Sequence, residues 1–184
     1  MSGHNKWSQI REKKGKTDAK KSQVFSKFAK LIANEARAAR STSSGRASVN
    51  RDAPMLRAAI ERARKENMPN DNIERAIKKA TEAGAKALEQ VMYEAYGPGG
   101  AALLIETLTE STNKTAQEIK HLLSENGGNL ASPGAAAWAF EKTQEGWKPT
   151  TNVPLSDEDL AKLEKLVEKL EAYEDVQEVI TNAE

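Results

Sequence analysis

Two apolar runs separated by a glycine-proline turn constrain this fold most. Gln90–Tyr96 (QVMYEAY) alternates and holds β-formers, and Ala101–Thr109 (AALLIETLT) follows directly after Gly97-Pro98-Gly99-Gly100. Such a pattern reads as strand, tight turn, strand. A phosphate-cradling loop needs a following Lys and a helix opening on the anion, and this stretch has neither. An antiparallel pair is therefore fixed near the middle of the chain, and its apolar faces must be covered by other elements.

The segments around it have helical spacing. Thr17 or Asp18 can cap a helix to about Ala39, with Val24, Phe25, Phe28, Leu31, Ile32 and Ala36 on one stripe. Ser41–Ser48 is a loop by composition. A second helix, from Asn50–Pro54 to about Asn67, buries Leu56, Ala59, Ile60 and Ala63. Met68–Pro69 stops it. A third is capped at Asn70 or Asp71, with Asp71 and Glu74 at capping-box spacing. It buries Ile73, Ala76, Ile77 and Ala80 and ends at Gly84. Beyond the strand pair come a helix over Lys114–Glu125, a strand over Ala135–Glu141 and a connector, Gln144–Pro154. A helix from Asp157 to about Tyr173, capped by Ser156, and a last strand at Val176–Thr181 complete the chain. The expected fold class is α+β. A three-helix bundle, 18–83, precedes an antiparallel-sheet sandwich, 84–184, in the order ββα-β-αβ with two helices on one face of the sheet.

Charge divides the same chain. Residues 1–79 hold 20 Lys/Arg and 8 Asp/Glu, whereas residues 80–184 hold 8 and 19. The basic excess is densest at the start, where Ser2–Lys30 carries nine Lys/Arg against Glu12 and Asp18. No hydrophobic period shows over residues 2–17, which are expected to be a flexible basic segment. Such a patch fits a polyanion; attraction between the two halves is a compatible alternative. The candidate nucleic-acid-binding residues are His4, Lys6, Trp7, Arg11, Lys13, Lys14, Lys16, Lys20, Lys21 and Lys27. Trp7 has two readings: folding back onto the three-helix lobe, or stacking on an unpaired base while the cations track the backbone. The spacing of Arg46 and Arg51 does not establish that they extend the basic face.

Other chemistry is not indicated. With no Cys, disulfides and thiolate chemistry are out, and a reducing, cytoplasmic setting is expected. His4 and His121 lack ligand-spaced partners, so no metal or other cofactor is expected. Asp157, Glu158 and Asp159 fall in the first turn of a helix, where its dipole accounts for them. No Ser-His-Asp set, P-loop or dinucleotide fingerprint is present, so no enzyme and no small-molecule substrate are expected. Apolar runs such as Ala101–Ile105 are far too short for a membrane span.

Several motifs, in order, match one family. Gly3-His4-Asn5-Lys6-Trp7, Ile10, Lys13-Lys14, Asp18 and Lys20 resemble the opening of the YebC/PmpR family, which includes the mitochondrial translational activator of cytochrome c oxidase. Asn67-Met68-Pro69 with Asp71–Lys79, Tyr93–Gly100, Asn126–Leu130 and Trp138-Ala139-Phe140 also match. The resemblance implies an N-terminal three-helix lobe, α+β lobes and no enzymatic chemistry. Members are described as DNA-binding transcriptional regulators, and are also implicated as ribosome-associated translation factors that relieve stalling at proline-rich stretches. The implied partner is rRNA on the ribosome, or DNA. Asn5 stands where Ser is usual. Full-length relatives insert a further lobe between the strand ending near Phe140 and the segment resembling Asn152–Leu155. Here Thr143–Thr151 fills that place.

Overall fold

A computed structural model describes residues 6–14, 18–41, 48–82, 88–144 and 146–184. It separates into two compact units. One comprises Lys16–Leu88; the other combines Met1–Gly15 with Glu89–Glu184.

The Lys16–Leu88 unit is built on α2 (Asp18–Ala38), α3 (Pro54–Lys65) and α4 (Asn70–Lys79). The helical stripes meet as their spacing predicts: Ile32, Ala36, Leu56, Ala59, Ala63, Ile73, Ala76 and Ile77 are buried together, with Phe25, Phe28 and Leu31 packed against them. The α3–α4 turn is closed by Asn67, at φ +62°. Its N–H donates to the Arg64 carbonyl (2.9 Å), and the Met68 N–H donates to that of Ala63 (3.0 Å). These two bonds satisfy the last carbonyls of α3, and Asn tolerates the left-handed conformation they require. The expected capping box does not form. Pro69 stands at the N-cap of α4 and has no side-chain acceptor to offer, and Glu74 is held by Arg51 (2.7 Å to each oxygen). Part of the expected 41–48 loop is extended, as β1 (Arg40–Ser41) pairs with β2 (Ser48–Val49). Thr17 and Gly84 lie outside the described residues.

The second unit holds a four-stranded antiparallel sheet, ordered β5-β3-β4-β8. Its strands are β3 (Glu89–Tyr96), β4 (Ala102–Thr109), β5 (Asn129–Leu130) and β8 (Val176–Thr181). The predicted hairpin forms along its full length, from Glu89 opposite Thr109 to Tyr96 opposite Ala102. Gly99 sits at φ +69°, and a Cβ there would come within 2.4 Å of Leu155 Cδ2, so glycine is required both by conformation and by space. On one face, Leu103 and Ile105 of β4 pack with α5 (Thr112–Glu125) and α6 (Asp157–Ala172) through Ile119, Leu123, Leu163, Leu166 and Leu170. The Ser156 hydroxyl accepts from the Asp159 N–H (3.1 Å), capping α6 as expected.

The sheet is not covered on one face only. Ala102, Leu104 and Ile180 point the other way and pack under Ala136, Ala139 and Phe140. The expected strand over 135–141 is mostly not a strand: Ala137–Ala139 is a 3-10 turn, and only β6 (Phe140–Thr143) is extended. Glu94 explains the difference. Its carboxylate accepts from the backbone N–H groups of Gly134 (2.6 Å), Ala136 (2.7 Å) and Ala137 (2.8 Å), which a strand would have pointed to alternate sides. The connector also contains a strand, β7 (Gly146–Pro149), paired with β6 from Phe140–Pro149 to Thr143–Gly146.

Candidate nucleic-acid interface

The basic N-terminal stretch contains a helix, α1 (Lys6–Lys14), where a flexible segment was expected. Trp7 accounts for it. Only 6% of its surface is exposed, and it joins the apolar cluster of the α+β unit with Leu160, Leu163 and Val167 of α6 and Val179 of β8. The core it joins is that of the sheet unit rather than the three-helix lobe, and in this docked state its ring is covered.

Two cations of α1 are likewise engaged within this unit. Lys6 forms an ion pair with Asp157, the first residue of α6. Arg11 reaches Glu171 near the other end of α6 (3.1 Å) and also donates to the Val179 carbonyl (3.2 Å). Lys6 and Arg11 thus bind acids and a strand carbonyl here. Attraction between basic and acidic parts operates through α1. His4 and Lys16 lie outside the described residues. Lys13 and Lys14 are placed on α1 and Lys20 on α2 by their backbone alone. Lys21 is exposed on α2 and Lys27 is half-buried there.

The Lys16–Leu88 unit is basic in its own right, with 17 Lys/Arg against 8 Asp/Glu. Arg57, Arg64 and Lys65 of α3 and Lys78 and Lys79 of α4 are exposed. They were not among the candidate residues, although their positions off the apolar stripes were readable at helical spacing. Arg51 does not extend this basic surface, because it forms the two-pronged pair with Glu74. That hydrogen-bonded pair holds the Glu74 carboxyl below its ordinary range. Among the described residues, no group of three His, Cys, Asp or Glu could hold a metal ion, and no helix is long and apolar enough to cross a membrane.

Family profiles match the chain along nearly its whole length. A profile of the TACO1/YebC protein N-terminal domain matches residues 5–83. A profile of the TACO1/YebC second and third domain matches residues 88–146 and 142–183. The chain belongs to the TACO1/YebC family. A probable transcriptional regulatory protein of Fervidobacterium nodosum is 48% identical over 143 residues, covering 77% of this chain and 54% of that protein. The chain thus spans little more than half the length of that relative. One from Petrotoga mobilis is 45% identical over 186 residues, covering 100% and 71%. One from Thermoanaerobacter pseudethanolicus is 35% identical over 246 aligned positions, covering 100% and 97%. A chain of 184 residues cannot fill 246 positions, so a stretch of that TACO1/YebC relative has no counterpart here. The two matches to the second-and-third-domain profile meet at residues 142–146, the end of the β6–β7 ribbon. A crystal structure of a conserved hypothetical protein from Aquifex aeolicus superposes with a TM-score of 0.77 at 30% identity, covering 97% of this chain and 96% of that one.

Proposed function

We propose that this TACO1/YebC chain is a nucleic-acid-binding regulator of gene expression. It acts in the cytoplasm as a ribosome-associated translation factor, contacting rRNA and relieving stalling at proline-rich stretches by positioning rather than by chemistry. The observation that carries nucleic-acid binding is the concentration of cations in the Lys16–Leu88 unit, with Arg57, Arg64, Lys65, Lys78 and Lys79 exposed on two short helices. The ribosomal part rests on the family resemblance.

A second reading, a DNA-binding transcriptional regulator, is favoured by the names of the relatives. The α3–turn–α4 pair invites comparison with a helix-turn-helix, whose second helix places its N-terminal residues on base edges. Here that first turn carries Asp71, and Glu74 one turn on is tied to Arg51. Carboxylates at that place repel phosphate, which weighs against this use of α4.

Co-sedimentation with purified ribosomes at physiological salt tests the choice, with excess duplex DNA as competitor. The wild type is expected to pellet with ribosomes and resist the DNA. Lys13→Gln, Lys14→Gln, Lys20→Gln and Lys21→Gln combined are expected to weaken binding about tenfold or more. Affinity should also fall with salt at a log–log slope of about −0.7 to −0.9 per phosphate neutralised. Complete loss to DNA would favour the transcriptional reading, and unchanged binding by the four-lysine variant would remove these lysines from the interface.

A further inference from the structure

We propose that α1 is a releasable strap: the α6–β8 edge of the α+β unit and a phosphodiester backbone compete for Lys6 and Arg11, so nucleic-acid binding undocks α1. This inference rests on the nucleic-acid reading above.

At nine residues, α1 is too short to persist as an isolated helix, so its order depends on what it docks against. The docked state has two kinds of contact. Trp7 supplies the apolar anchor. Lys6–Asp157 and Arg11–Glu171 supply charge pairing at opposite ends of α6. Both ion pairs face solvent, with side-chain exposures of 56% and 86% in the first and 44% and 35% in the second. Exposed pairs are weak, screened by salt and readily exchanged for another anion.

Arg11 binds the Val179 carbonyl on β8, the outer strand of the sheet order, so docking also covers part of an open sheet edge. In sequence, α1 is separated from α2 by Gly15, Lys16 and Thr17 alone. Once free of α6, its cations continue the lysine run of α2. Lys6 and Arg11 cannot satisfy carboxylates and phosphates at once, so the two equilibria oppose each other. Undocking also exposes Trp7, and stacking on an unpaired base offsets that loss.

The test uses the intact chain labelled with 5-fluorotryptophan. Trp7, Trp138 and Trp147 provide the three 19F lines, assigned with Trp138→Phe and Trp147→Phe variants. Titration with U12 RNA and with dT12 is followed by 19F NMR, and binding is read separately by anisotropy of the labelled oligonucleotide. The Trp7 line is expected to move to the solvent-exposed position with the same midpoint as binding. Asp157→Asn with Glu171→Gln is expected to tighten binding about three- to tenfold. Glu118→Gln with Glu125→Gln, the same charge change on α5, is expected to tighten it less than about twofold.

Equal responses to U12 and dT12 identify the competitor as the phosphodiester backbone, whereas a response to U12 alone identifies it as RNA. Saturated binding with an unmoved Trp7 line, or equal tightening by both double variants, overturns the strap and leaves nucleic-acid binding standing. Absence of binding to either oligonucleotide by anisotropy overturns the nucleic-acid reading and the strap with it.

Discussion

Replacing Trp7 by Ala is expected to lower the stability of the α+β unit by about 3–5 kcal/mol, the usual cost of truncating a buried aromatic side chain. The residue lies in a strongly charged stretch, where a surface role would give almost no effect. Its 6% exposure and its place in the same apolar cluster as Leu160, Leu163 and Val167 decide otherwise. Urea unfolding followed by tryptophan fluorescence measures the loss. Trp138 and Trp147 remain as reporters in the variant, and the Lys16–Leu88 unit contains no Trp, so the signal belongs to the unit in question. Lys6→Ala with Arg11→Ala is expected to cost only about 1 kcal/mol in total, and most of that should vanish in high salt. The Trp7 effect should persist there, because apolar burial is not screened. A shift below about 0.5 kcal/mol for Trp7→Ala, within the range of an ordinary surface substitution, would refute the anchoring role.

What the sequence reveals and conceals follows from the range of each interaction. The stripes on α2, α3, α4 and α6 repeat within a few residues, so Ile32, Leu56, Ile77 and Leu163 could be assigned to core positions from spacing alone. The β3–β4 pair was equally legible, because Gly97–Gly100 fixes the turn and the turn fixes the register. Ser156 declared the start of α6 through a bond three residues long. Trp7 gave no such signal. Its partners lie about 150 residues away, and nothing in KWSQIREKK marks a buried face. The cations that made this stretch resemble a free polyanion-binding arm include two held by Asp157 and Glu171. Ala135–Glu141 misled for a related reason. Trp138 and Phe140 alternate like strand residues, yet Trp138 is exposed while Phe140 is buried, because Glu94, some 40 residues earlier, gathers the backbone just before them. The family's opening motif names Lys6 and Trp7 without saying that one pairs with an acid and the other fills a core.

Glu94→Gln is expected to destabilise the α+β unit by about 2–3 kcal/mol at pH 7, since hydrogen bonds to an ionised group contribute more than neutral ones and the lost oxygen leaves N–H donors facing an amide donor. One carboxylate oxygen takes the Gly134 N–H, and the other takes those of Ala136 and Ala137. Gln offers a single acceptor oxygen, so at least one of these donors loses its partner. Burial by itself would raise the Glu94 carboxyl; the three N–H groups outweigh that and hold it below its ordinary value of 4.5. The sign of the pH dependence follows. A carboxyl whose folded value lies below its unfolded one contributes fully above about pH 4.5, and this contribution fades as pH falls through the depressed folded value. Gln does not titrate, so the gap between wild type and variant should narrow on acidification from pH 7 to pH 3. Urea unfolding at both pH values, read from Trp138 and Trp147, measures it. Trp138 is a sensitive local reporter because its indole N–H donates to the Ala135 carbonyl (2.9 Å), inside the loop that Glu94 gathers. A gap that stays constant over this range would mean that the loop is held by its own turns, and that charge on Glu94 does not secure the second face of the sheet.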